Sequence, residues 1–159
     1  MSNSTLSPPA EDRYFEDYVP GSVYEFGSTV MEEKEMIDFA TRYDPQAFHI
    51  DPDAARKSVF GDLIASGWHT GAVSMRLIVD HYLSRVASLG SLGVDELRWL
   101  KPVRPGDTLS LRVTVLKVKR SRSKPDRGVV RSFVEVLNQA REVVMTRQAV
   151  GIMLCRTGT

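Results

Sequence analysis

The sequence predicts an α+β fold in which an antiparallel sheet wraps around one long central helix. Two observations carry this prediction. Apolar residues at spacings of three and four (Trp68, Ala72, Met75, Val79, Tyr82, Val86) mark a long helix from Ser66 to about Ala87. The half that follows switches to a period of two, with Leu109, Leu111, Val113 and Val115 alternating with polar residues. A long apolar helix followed by a run of half-buried strands buries both faces only if the sheet curls around the helix.

Each element follows from local signals. Residues 1–12 are rich in Ser and Pro and read as a flexible arm, and residues 13–159 as one domain, docked from the aromatic segment Arg13–Tyr18. After the Pro20-Gly21 turn, Tyr24 to Val30 reads as a strand. Glu32 to Tyr43 reads as a helix with Ile37, Ala40 and Tyr43 on one face, and Pro45 stops it because proline disfavours helical geometry in the residue before it. Asp51 is placed to cap a short helix, Pro52 to Ser58, with Pro52 at its first position. Phe60-Gly61-Asp62 reads as a turn, and Ser66 as the cap of the long helix. Val73, Ile78 and Leu83 widen that helix's stripe, which implies a helix surrounded by other structure. Val94 to Leu100 is the next strand, and Lys101 to Asp107 a turn. Val130, Ser132, Val134 and Val136 define a further inward face, and Val144, Val150, Ile152 and Leu154 the last one. The sheet edge and the outer flank of the helix would stay uncovered in a monomer, which predicts a homodimer or a higher homo-oligomer of dimers.

Bulk properties bound the function. The chain has 159 residues, enough for one self-sufficient core, with 42% hydrophobic and 26% charged residues. A net charge of +1 gives no reason to expect a nucleic-acid partner. The single cysteine, Cys155, forms no internal disulfide framework and points to a reducing, cytoplasmic setting. No apolar run approaches the length of a membrane span. The basic run from Lys117 to Arg127 reads first as a solvated hairpin, with attraction for phosphates as the alternative. His69 and His81 share no helical turn and, with His49 and Cys155, make no metal-ligand spacing, so no metal is expected.

The candidate chemistry lies in two neighbouring segments. Tyr43-Asp44-Pro45-Gln46-Ala47-Phe48-His49-Ile50-Asp51 sets a carboxylate and an imidazole on a segment bent by proline. Ile64-Ala65-Ser66-Gly67-Trp68 opens the long helix with small residues, at the end where N–H groups lack partners and the dipole is positive. A general acid/base pair beside a helix N-terminus is what addition of water to an activated double bond requires. Tyr43 and Phe48 read as core or pocket wall, and Trp68 as core before ligand contact.

Asp44 to Asp51, Phe60-Gly61, Ile64 to Gly67 and Pro102-Val103-Arg104-Pro105-Gly106-Asp107 together resemble the MaoC-like (R)-specific enoyl-CoA hydratases, over roughly Arg13 to Leu154. The resemblance implies a hotdog fold. It also implies an Asp/His dyad at Asp44 and His49, a thioester-oxygen donor at the Gly67 N–H, and substrate contacts from Ser66, Phe48 and Trp68. Gln46 and Ala47 stand where the family's common pattern has Asn and Pro, and Ser66 where it often has His; this variant is similar to nodulation protein N-like sequences. The implied reaction interconverts a trans-2-enoyl-CoA and an (R)-3-hydroxyacyl-CoA. Coenzyme A enters as part of the substrate, with no separate cofactor. A hotdog acyl-CoA thioesterase and a non-catalytic acyl-CoA-binding protein are the alternatives.

Overall fold

The computed structural model describes residues 8–156. The elements run β1 (Val23–Val30), α1 (Glu33–Tyr43), α2 (Ala47–Ile50), α3 (Pro52–Arg56), α4 (Gly67–His81), β2 (Ser88–Trp99), β3 (Thr108–Arg120), β4 (Arg127–Leu137) and β5 (Val143–Leu154). The strands form one antiparallel sheet in the order β1-β3-β4-β5-β2, with α4 packed against one face. This is the α+β architecture that the two hydrophobic periods predict.

The core face of the sheet follows from strand register. Residues directly opposite one another in an antiparallel pair point to the same side. Leu111 pairs with Val136, Val113 with Val134 and Val115 with Ser132, and all six are buried. Leu77 and Ile78 of α4 and Met36 of α1 close the core above them. Gly27, at φ +84° in a bulge of β1, lets α4 approach: a Cβ there would lie 2.9 Å from Leu77 Cδ2.

Several expectations need correction. On β5 the core-facing residues are odd-numbered: Met145, Arg147, Ala149 and Gly151 sit opposite Val136, Val134, Ser132 and Val130. Val144 and Val150 are buried from the other phase, and Ile152 and Leu154 only half-buried. The valines suggested the even phase, but pairing with β4 decides it, and it carries an arginine into the core.

The long helix is shorter and differently oriented than its apolar stripe suggests. It ends at His81, because the Ser84 hydroxyl turns the chain by accepting from the N–H groups of Val86 and Ala87 and donating to the Arg13 carbonyl. Its buried face is His69, Thr70, Ser74, Leu77 and Ile78. Trp68, Ala72, Met75 and Val79 are exposed, so much of the stripe faces outward. Likewise α1 buries Met36 and Ala40 and leaves Tyr43 exposed, with the Arg42 guanidinium over its ring. β2 begins six residues earlier than expected, at Ser88, and is exposed along nearly its whole length.

At the N-terminus, Ala10–Asp12 form a 3-10 turn whose Ala10 carbonyl accepts from the Arg85 N–H. Asp12 and Asp17 both meet Arg156. Residues 1–7 of the expected arm lie outside the described residues.

Candidate active site

Asp44 is the C-cap of α1, where its N–H still bonds to the Ala40 carbonyl and Pro45 prevents another turn. The chain then makes the four-residue helix α2, which carries Phe48 and His49 inward. Asp51 ends α2 and caps α3, accepting from the N–H groups of Asp53 and Ala54. Two short helices back to back therefore fix the Asp44–His49 loop.

The imidazole is oriented from behind. His49 Nδ1 lies 2.8 Å from the Ile64 carbonyl oxygen, which can only accept, so Nδ1 carries the proton. Nε2 points to Asp44 Oδ2 at 3.3 Å. With Nδ1 protonated, the neutral ring offers the carboxylate a lone pair, and two acceptors face one another. That arrangement either shares a proton or presents two acceptors to the two O–H groups of one water seated beside them in the cavity.

Asp44 is held as an anion. Its Oδ1 accepts from Gln46 Nε2 at 2.7 Å and its Oδ2 from the Ser66 hydroxyl at 2.7 Å. Burial pushes its pKa up, but the Gln46 and Ser66 hydrogen bonds, joined by the His49 charge when that ring is protonated, outweigh it and hold the carboxyl below its ordinary value. Gln46 and Ser66, two of the positions where the chain departs from the family's common pattern, are thus both bonded to the candidate catalytic carboxylate.

Ser66 joins this carboxylate to the helix N-terminus. Its hydroxyl accepts from the Trp68 N–H at 3.3 Å, capping α4, while donating to Asp44. Gly67 is the first residue of α4, so its N–H has no intrahelical acceptor. A Cβ on Gly67 would overlap the Trp99 indole, whose Nε1–H donates to the Gly67 carbonyl at 2.9 Å. The missing side chain makes room for this ring.

Asp44, Phe48, His49, Gly67 and Trp68 line one cavity of about 450 Å3, and Ser66 sits behind Asp44 through its hydrogen bond. Five of the six sequence-predicted site residues therefore line the cavity, while Ser66, fully buried, reaches it only through Asp44 and not as the expected substrate contact. Trp68, 60% exposed, belongs to the cavity rim rather than the core, edge-on to Trp99 at 5.2 Å. Tyr43 does not line the cavity. Sequence reasoning missed Trp99, Lys101, Thr70 and Val144, which come from β2 and its following turn, from α4 and from β5. A tryptophan at a strand end beside the Lys101–Asp107 turn was the available signal for Trp99.

The other candidates lie apart. His69 is buried, stacked on Phe39 at 4.8 Å and 3.5 Å from Glu35, and His81 packs on Phe26. Among the described residues no three His, Cys, Asp or Glu side chains are grouped to hold a metal ion. Cys155 is buried, and burial pushes its thiol pKa up, away from the thiolate a nucleophile needs. The basic hairpin is at the opposite end of β3 from the turn that lines the cavity, roughly 40 Å along the strand at about 3.3 Å per residue. Two of its arginines bond within the loop, Arg120 to Pro125 and Arg127 to Asp126. Among the described residues no helix is long and apolar enough to cross a membrane.

Comparison with known proteins gives the family and the fold. A MaoC-like dehydratase from Rhodospirillum rubrum is 40% identical and superposes with a TM-score of 0.85 over 92% of this chain and 99% of that one. R-hydratase PhaJ1 from Pseudomonas aeruginosa is 26% identical, with a TM-score of 0.71 over 91% of this chain and 86% of that one. A Mycobacterium tuberculosis protein described as a double hotdog fold, 14% identical over 94% of this chain and 46% of that one, shares the fold with a TM-score of 0.78. Protein MaoC of Klebsiella aerogenes is 30% identical over 119 residues; the match covers 73% of this chain and 35% of that protein's length. The family model for the MaoC like domain matches residues 14–137, which span β1 to β4 and every cavity-lining residue except Val144. With an α+β hotdog fold, and with Asp44, His49 and the head of α4 in one cavity, this chain belongs to the MaoC-like domain family.

Proposed function

We propose that the protein is a hydratase/dehydratase that interconverts a trans-2-enoyl-CoA and an (R)-3-hydroxyacyl-CoA. The observation that carries this reading is the 3.3 Å approach of His49 Nε2 to Asp44 Oδ2, both acceptors, in the cavity that α4 enters with its N-terminus. The R-hydratase among the similar structures supports the (R) sense of addition.

The thioester carbonyl lies against the Gly67 N–H and the positive end of α4, which stabilise enolate charge as it develops. One such donor is worth about 10²–10³-fold in rate. Asp44 and His49 Nε2 share one water, each accepting one of its protons. The water oxygen attacks the β-carbon, the pair takes up the proton released, and it is returned to the α-carbon. No proton is gained or lost overall, and the reverse sequence is dehydration. A positioned acid/base contributes about 10²–10⁴-fold.

The active form is a homodimer. β2 bonds to β5 on one side only; its Leu89, Leu92 and Val94 are exposed, as are Met75 and Val79 of α4, and Val94 and Met75 line one cavity. An edge strand and an adjacent apolar helix flank of this kind are what self-association covers.

Loss of the enoyl-thioester ultraviolet absorbance with crotonyl-CoA and longer enoyl-CoAs tests the reaction. Thiol release would identify a thioesterase instead. Thermal stabilisation by acyl-CoA without turnover would identify a binding protein.

A further inference from the structure

Arg147 occupies a position that the strand pattern reserves for an apolar residue. It lies on the core face of β5, opposite Val134, and is only 7% exposed. Its Nε is buried without a hydrogen-bond partner, and no ion pair or hydrogen bond reaches the side chain among the described residues. Burial lowers its pKa with no carboxylate to oppose the shift. A buried guanidinium without an anion is costly, and buried charges in stable proteins are paired.

Arg147 lines a second cavity of about 280 Å3, separate from the one that holds Asp44. Met75, Ile78, Val130, Val134 and Met153 make most of its wall apolar. Its polar lining comprises Arg147, Ser88 and Ser91 of β2, and the Ser132 and Tyr82 hydroxyls. Ser132 is its diagonal neighbour on β4, and the Ser132 and Tyr82 hydroxyls lie 2.8 Å apart, so one of them has a proton to offer. At about 30 Å3 per water-sized group, the cavity takes roughly nine heavy atoms. Water could fill it and bond to the guanidinium, but water supplies no charge.

We infer that this cavity binds an apolar chain ending in a carboxylate, with the carboxylate on Arg147 beside the Tyr82–Ser132 hydroxyl pair and the chain against the Met75–Ile78 flank of α4. Such a group has two sources. It is a free medium-chain carboxylic acid, or it is the far end of a dicarboxylic acyl thioester. The second source rests on the acyl-CoA reading above and on the acyl chain passing along α4 from the Gly67 cavity into this one; the first does not.

Calorimetric titration separates the two. One arm compares hexanoate with its neutral amide, and the other compares adipyl-CoA with hexanoyl-CoA, both thioesters saturated so that turnover plays no part. Wild type should bind the carboxylate member of at least one pair about ten- to a hundredfold more tightly, the range of a hydrogen bond to a charged group. Arg147→Met should remove that preference and Arg147→Lys should retain part of it. Replacing a buried charge by an apolar residue of similar size is commonly tolerated, so Arg147→Met should fold; if it does not, Arg147→Lys and Tyr82→Phe carry the comparison. Preference in the first arm assigns a free acid, and in the second alone a dicarboxylic acyl group. Absence of preference in both arms overturns the inference, as does a preference that these variants leave intact. So does an Arg147→Met effect confined to dimer dissociation, which would give Arg147 to the partner copy.

Discussion

The Trp99 indole donates its Nε1–H to the Gly67 carbonyl at 2.9 Å and fills the space that a side chain on Gly67 would need. One contact thereby fixes the end of β2 against the start of α4, the two walls that meet at the cavity.

Gly67→Ala should therefore lower thermal stability through overlap with the ring, by about 1–3 kcal/mol as overpacking commonly does. Trp99→Leu removes the ring and should relieve much of that cost. A double-mutant cycle on the unfolding midpoints would then show coupling of opposite sign to the single changes. Strict additivity would mean that the two residues do not constrain one another.

Gln46→Ala should move the acidic limb of the activity profile to higher pH. Gln46 donates to Asp44 and lowers its pKa, so its loss lets the carboxyl protonate sooner as pH falls. The same sign governs stability. Because the folded-state pKa of Asp44 is depressed, its contribution is complete above the ordinary carboxylate value of about 3.9 and is lost as pH falls through the lower folded value. Titration of activity against pH checks the first statement, and acid unfolding of wild type against Asp44→Asn the second.

Ser66→Ala should act twice. Loss of the α4 cap costs about 1 kcal/mol. Loss of the bond to Asp44 should shift the acidic limb in the same direction as Gln46→Ala. Since Gln46 caps no helix through its side chain, a stability loss in Ser66→Ala alone, with pH shifts in both, separates the two roles.

Val94→Glu or Met75→Lys should convert a dimer to monomer. Both residues are exposed on the uncovered β2–α4 flank, and a charge there makes burial costly. Sedimentation velocity at several protein concentrations reads the result.

Much of the fold was legible because its signals are local. Leu109 to Val115 alternate cleanly, Asp51 and Pro52 announce a helix start, and Pro45 a helix stop. The phase of β5 was not legible, because Val144 and Val150 compete with Met145 and Met153 and only pairing with β4 decides between them. The burial of α4 was not legible for a related reason. Its apolar stripe, Trp68 to Val79, matches a flank left open in the single chain, while polar His69, Thr70 and Ser74 find partners or space inside. Within the site, Asp44, His49 and Gly67 were legible from two short segments. Trp99 and Lys101 were not, because they come into the cavity only after β2 pairs with β5.

The central claim is that Asp44 and His49 act on one water. Steady-state hydration of crotonyl-CoA by Asp44→Asn and His49→Ala, with circular dichroism to confirm folding, tests it most directly. Each single change should lower kcat at least about 10²-fold, and the double variant should fall little further, since groups that act as a unit are not additive. Near-normal turnover in either folded single variant, or strictly multiplicative losses in the double variant, would contradict the account.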